Sequence, residues 1–265
     1  MKLGCCLNML GNSVDPIGAG YIPALASSGY DYVELPLAQV MELPEEEFES
    51  LLFEVERSGV SCECCNNFFP ASIRLTGEMV NKQEIESYVE KAIDRAKRLG
   101  AKVIVFGSSG AKNVPEGFDT GRAFDQIAAV LKLVQPYALA AGICIVIEPL
   151  NRMESNIIRT LKEGKALMDA ADASSVKLLV DYYHFSMEEE SLDALKELMP
   201  YIRHVHFAKP EGRRFPLEPD KRYGEFFEVL KNGRFTERVS IEAYSDEPEE
   251  EIKKVLFLKK YFYSL

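Results

Sequence analysis

Four short apolar runs in the second half of the chain each lead into a residue able to ligate a divalent metal: CIVI before Glu148, KLLV before Asp181, RHV before His206 and RVSI before Glu242. Runs of branched apolar residues read as strands buried on both faces, which puts each candidate ligand where a strand gives way to a loop. The intervals of 33, 25 and 36 residues each hold a loop, a helix and a further strand, as successive β-α units require. Parallel strands of one sheet would gather all four at one end. Two glutamates, an aspartate and a histidine make a hard, oxygen-rich set that suits Mn²⁺, Mg²⁺ or Co²⁺ better than a thiolate-bound structural zinc, with Zn²⁺ still compatible by ligand type. A cation held there would act as a Lewis acid.

The elements that must position these residues are legible along the whole chain. Eight strand-like runs lie near 3–8, 30–36, 60–66, 101–107, 143–148, 176–181, 202–207 and 238–243, separated by amphipathic helical stretches. Gly59, Gly100, Gly142 and Gly233 stand where helices should close, and Pro44 and Pro248, each followed by three glutamates, where helices should open. Strand then helix, eight times, predicts a single α/β domain over 1–265, a (β/α)₈ TIM barrel with its chemistry in the loops after the strands. A doubly wound nucleotide-binding sheet is the competitor, but neither a GxGxxG nor a GxxxxGK[ST] segment follows a strand.

With 42 acidic against 31 basic residues the chain carries a formal charge of −11, which disfavours a nucleic-acid groove. A small neutral or weakly charged substrate is expected, with no membrane span, no secretory leader and a cytoplasmic location. Cysteines 5, 6, 62, 64, 65 and 144 do not give the paired CxxC motifs of a zinc ribbon and read as free thiols of the core, with Cys64 and Cys65 candidates for a pocket wall.

With the ligands placed, the chain resembles the xylose-isomerase-like superfamily of barrels, in particular its sugar isomerase/epimerase branch that contains the tagatose and psicose 3-epimerases. The resemblance rests on IEPLNRMES at 147–155, DYYHF at 181–185, HVHFA at 204–208 and IEAY at 241–244, in order and spacing. It implies that Glu148, Asp181, His206 and Glu242 hold one metal ion, most simply Mn²⁺. It also implies that Glu148 and Glu242 form the acid/base pair and that Glu154, His184 and Arg213 hold substrate hydroxyls. In the loop AKPEGRRFP, Arg214 competes with Arg213 for that role. The expected reaction is C3 epimerisation of a ketose through a metal-stabilised cis-enediolate, in a homodimer or homotetramer. Aldose-ketose isomerisation, hydroxypyruvate isomerisation and inosose processing are the alternatives on the same site.

A phosphorylated sugar would need a cationic or amide-rich pocket, for which Gly107-Ser108-Ser109-Gly110 with Lys112, or Arg213 with Arg214, are candidates. An abasic-site endonuclease, the superfamily's phosphodiesterase, holds several zinc ions with many histidines; this chain has three, all after residue 180. A sugar-binding barrel without catalysis would have little use for two glutamates at the metal. Of the remaining residues, His204 is expected to support the ligands or the packing, and Glu34 to meet either substrate or a lysine. Arg152 is expected to hold its loop through a carboxylate, Glu188 to Glu190 to form a solvated helix start, and 257–263 to pack the last helix on the barrel.

Overall fold

A computed structural model describes residues 1–263. Eight strands form a closed, all-parallel barrel in sequence order: β1 (Lys2–Cys6), β2 (Tyr32–Pro36), β3 (Ser61–Asn66), β4 (Val103–Phe106), β5 (Cys144–Ile147), β6 (Val176–Asp181), β7 (Ile202–Phe207) and β8 (Arg238–Ile241). Closure comes from β1 against β8, with Leu3 opposite Val239 and Cys5 opposite Ile241. Between strands run α1 (Ile22–Ser28), α2 (Glu45–Ser58), α3 (Lys82–Leu99), α4 (Thr120–Ala141), α5 (Leu161–Ala171), α6 (Leu192–Leu198), α7 (Lys221–Asn232) and α8 (Pro248–Lys254). This is the expected (β/α)₈ architecture.

Local chemistry starts and stops the helices as the sequence anticipates. Side chains of Asn81, Asp119, Thr160 and Ser191 accept the free N–H groups at the starts of α3, α4, α5 and α6. Gly59 and Gly100 close α2 and α3 with φ of 76° and 94°, a conformation a Cβ would penalise. Gly233 differs: its φ is −77°, and the left-handed position falls on Arg234.

The apolar core lies between the strands and their helices, while Tyr32, Cys64, Val103, Val105, Val146 and Leu179 fill the barrel's interior. Packing on both faces is what makes these strands read as continuous apolar runs. The closing segment packs as expected, with Tyr261 stacked on Phe227 at 5.3 Å between ring centroids and Phe262 buried. Among the described residues no helix is long and apolar enough to cross a membrane.

Candidate metal centre and active site

Register brings the four candidate ligands together. Asp181, the last residue of β6, pairs with His206 on β7, and His206 with Ser240 on β8. Glu148 and Glu242 each stand one residue beyond their strand and extend the ladder by one bond, Glu148 N–H to Phe106 carbonyl (3.2 Å) and Glu242 N–H to Phe207 carbonyl (3.1 Å). One ligand atom from each of Glu148, Asp181, His206 and Glu242 lies within 4.8 Å of the others, and all four residues are buried. His206 Nδ1 sits 3.0 Å from both Glu148 Oε1 and Glu242 Oε2. Asp181 turns Oδ1 to the Tyr183 N–H at 2.7 Å, leaving Oδ2 toward the centre.

Three carboxylates in so small a volume repel one another and lose their hydration. Burial raises Asp181 to about 8, with Glu242 and Glu148 adding to the effect and Arg213 opposing it. Burial and the nearby Glu242 raise Glu148 as well. Glu242 would also rise through burial, but His206 and Arg213 hold it well below the usual carboxylate range. A divalent cation fits this donor set, since it would neutralise the charge that burial penalises and take oxygen ligands of the type present.

Under the centre lies a second polar layer. A register shift between Val33 and Glu34 on β2 accompanies the inward placement of Glu34, which is fully buried. Its carboxylate accepts from His204 Nε2 (2.8 Å), His206 Nε2 (2.9 Å) and Ser240 Oγ (2.5 Å). Glu34 is fully buried away from the cleft wall, and its carboxylate partners are two histidines and a serine where a lysine was one expectation. His204 acts in support, as expected, with Nδ1 on the Arg238 carbonyl at 3.1 Å.

The other site candidates border the same centre. The backbone N–H of Asn151 can only donate, so its contact with His184 Nδ1 (3.2 Å) places the His184 proton on Nε2. That Nε2 lies 3.5 Å from Asp181 Oδ2, lacks a hydrogen-bond partner, and belongs to a ring whose pKa burial lowers well below the ordinary value. Arg213 adopts φ 52°, held by Lys209 N–H to Arg214 carbonyl and Tyr244 N–H to Arg213 carbonyl, both 2.8 Å. Its Nη2 reaches Glu242 Oε2 at 2.5 Å and Asp181 Oδ2 at 3.4 Å, and its Nη1 reaches Glu154 Oε1 at 3.4 Å. Arg214 instead pairs with Asp246 outside.

Glu148, Glu154, Arg213 and Glu242 line a cleft of about 330 Å³ whose wall also includes Asn8, Gln39, Asn67, Phe69, Ser109 and Tyr244. A larger groove of about 790 Å³ on the outer layer, between α2, α3 and α4, is remote from the cluster. Cys64 and Cys65 are fully buried and do not line the cleft: Cys64 points into the barrel's interior and Cys65 into the core between the strands and the helices. Lys112 is fully buried with Nζ on the Glu148 carbonyl at 3.2 Å, so it is no cleft cation. Arg152 clasps Glu188 through two hydrogen bonds of 3.0 Å, as expected, and the side chain of Glu190 accepts the Leu161 N–H; Glu188 and Glu190 thus tie loops together and do not form a solvated helix start.

Sequence reasoning gave no role to Asn66, whose Nδ2 donates to Glu242 Oε1 (3.2 Å) and Asn8 Oδ1 (2.9 Å). Its position at the end of β3, on the rim with the ligands, was the available signal. Asn151 was also missed, although it lies within the recognised IEPLNRMES segment.

Residues 22–261 match the family model described as xylose isomerase-like TIM barrel. A probable ketose 3-epimerase of Synechocystis is 26% identical over 202 residues, 74% of this chain and 68% of the relative. A D-psicose 3-epimerase of Agrobacterium fabrum is 22% identical over 231 residues, 84% of this chain and 78% of that protein. A crystal structure of a D-psicose 3-epimerase in the presence of D-fructose superposes with a TM-score of 0.87 at 19% identity, covering 98% of this chain and 99% of that one. With a closed eight-stranded barrel and a family match over nearly its whole length, the chain belongs to the xylose isomerase-like TIM barrel family.

Proposed function

We propose that this protein is a divalent-metal-dependent epimerase that inverts C3 of an unphosphorylated ketose, with Glu148 and Glu242 as its acid/base pair. The observation that carries the reading is the placement of these two glutamates, each 3.0 Å from the same His206 nitrogen and both facing one cleft. Named ketose 3-epimerases among the relatives support it.

Glu148, Asp181, His206 and Glu242 would hold the cation, Mn²⁺ best matching the donor set, and its chemistry is Lewis acidity toward the sugar's carbonyl and adjacent hydroxyl oxygens. The protein's own part is proton transfer. Glu148 and Glu242 are the two groups for it, both buried and both on the wall of the one cleft. One removes the proton from C3 and the other returns a proton to the opposite face, the roles exchanging with the direction of reaction. The His184 Nε2–H, the Arg213 guanidinium and the Glu154 carboxylate are placed to orient substrate hydroxyls. Asn8, Gln39 and Asn67 offer amides to the sugar's tail. Arg213 is the single Lys or Arg on the cleft wall among the described residues, and it is engaged by carboxylates, which disfavours a phosphate.

The test is incubation with Mn²⁺ and a panel of ketohexoses, ketopentoses and their phosphates in D₂O, followed by NMR of the recovered sugars. Deuterium at C3 of a free ketose is expected. Label at C1 or C2 would replace the reading with aldose-ketose isomerisation, and no label in any sugar would overturn it.

A further inference from the structure

His206 faces two competing sets of acceptors. On its Nδ1 side stand Glu148 Oε1 and Glu242 Oε2, both at 3.0 Å, and on its Nε2 side stands Glu34 Oε1 at 2.9 Å. A neutral imidazole carries one N–H, and the nitrogen that bears it cannot bind a cation. Left to the two site glutamates, the proton would settle on Nδ1 and block the very atom that points at the centre. Glu34 is the opposing pull. Its carboxylate is fully buried, can only accept when ionised, and already gathers hydrogen bonds from His204 and Ser240. With the proton on Nδ1, the Nε2 lone pair would face a buried carboxylate at hydrogen-bond distance with nothing between. Cys6 Sγ, the other group near Nε2, is 3.7 Å away and is too weak a partner to decide the tautomer.

We propose that Glu34 is a positioning residue: it fixes His206 in the Nε2–H tautomer, turns the Nδ1 lone pair toward Glu148, Asp181 and Glu242, and thereby sets the centre's affinity for a divalent cation. The proposal rests on the metal reading above and adds to it a residue outside the ligand set. The Ser240 hydroxyl donates to Glu34 and itself accepts from Tyr32 Oη at 2.7 Å, which anchors the carboxylate from below. Carboxylate partners of ligating histidines raise ligand basicity and fix ring orientation, and their loss costs about 10- to 100-fold in metal affinity.

The experiment compares the parent protein with Glu34→Gln and Ser240→Ala. Mn²⁺ affinity is read from the EPR signal of free Mn²⁺, and ring tautomers from ¹⁵N NMR in Mg²⁺, where three histidines in the chain leave few signals to assign. Expected are an Nε2–H signature for His206 in the parent, affinity about 10- to 100-fold weaker in Glu34→Gln with partial conversion of His206 to Nδ1–H, and a smaller loss of affinity in Ser240→Ala, which removes the anchor and leaves the carboxylate. Parental Mn²⁺ affinity in Glu34→Gln would overturn the proposal, as would weakened affinity with an unchanged His206 tautomer, the mark of a merely structural role. Should Glu34→Gln fail to fold, an Nδ1–H signature in the parent alone refutes it and Nε2–H upholds it. A parent that binds no Mn²⁺ sinks the metal reading instead, while its NMR spectrum still decides the tautomer.

Discussion

Gly107 and Glu148 meet across the ends of β4 and β5 so closely that a Cβ on Gly107 would overlap Glu148 Oε2. Gly107 has no left-handed φ, so its backbone would accept alanine and only the lack of space forbids it. The overlapped atom is the end of a flexible side chain, which can turn away at little cost to the barrel. The same turn would take a candidate ligand out of the centre. Gly107→Ala should therefore lower Mn²⁺ affinity at least about tenfold, the range seen when a metal site loses its orienting shell, with a melting temperature close to the parent's. Calorimetric titration and a thermal melt check it, and undiminished affinity would remove Glu148 from the ligand set.

Glu148→Gln and Glu242→Gln keep side-chain shape and remove the ability to exchange a proton with carbon. Each should lower kcat by about 10²- to 10⁴-fold, the usual worth of a positioned acid or base, with the far-UV CD spectrum unchanged. Substantial turnover in either variant would end the acid/base assignment.

The barrel was readable from sequence because its strands are covered on both faces and its helices carry local stop signals, so CIVI, KLLV and RVSI announce themselves without tertiary information. The ligands were readable for the same reason, standing at or just beyond strand ends at β-α spacing. What stayed hidden depends on distance in space. Glu34 stands in the middle of β2 as an isolated acid, 170 residues from His204, and no periodicity tells which histidine it will meet. The roles of Asn66, of Gly107 and of Lys112 beneath Glu148 likewise follow from curvature of the closed sheet, which brings neighbouring strand ends together only after the barrel forms.

Proton competition at the centre gives a pH dependence with a definite sign. Asp181, raised by burial to about 8, holds a proton that a cation must displace. Mn²⁺ affinity should climb as pH rises from 6 through 8, with protons released on binding. Titrations at one pH in two buffers of different ionisation enthalpy would count them, and identical heats in both would show that the carboxylates are already ionised.

Lys112 supplies a prediction about the fold alone. Burial lowers its pKa from an ordinary 10.5 to about 8, with Glu148 partly opposing the shift. Below pH 8 both folded and unfolded chains hold the proton, and the folded state bears the full cost of the buried charge. Between 8 and 10.5 the unfolded chain binds more proton, so the contribution of this residue to stability rises with pH across that window. The shift corresponds to about 3 kcal/mol. Lys112→Met fills nearly the same volume, removes that cost, and gives up the bond to the Glu148 carbonyl, worth about 1 kcal/mol. At pH 7 the variant should therefore be about 1 to 2 kcal/mol more stable than the parent by urea unfolding, the difference of those two effects. Its advantage should shrink steadily toward pH 10.5, where the parent's lysine folds uncharged. A parent whose stability shows no extra rise over the variant between pH 8 and 10.5 would mean that Lys112 keeps its proton in the folded barrel, held there by Glu148.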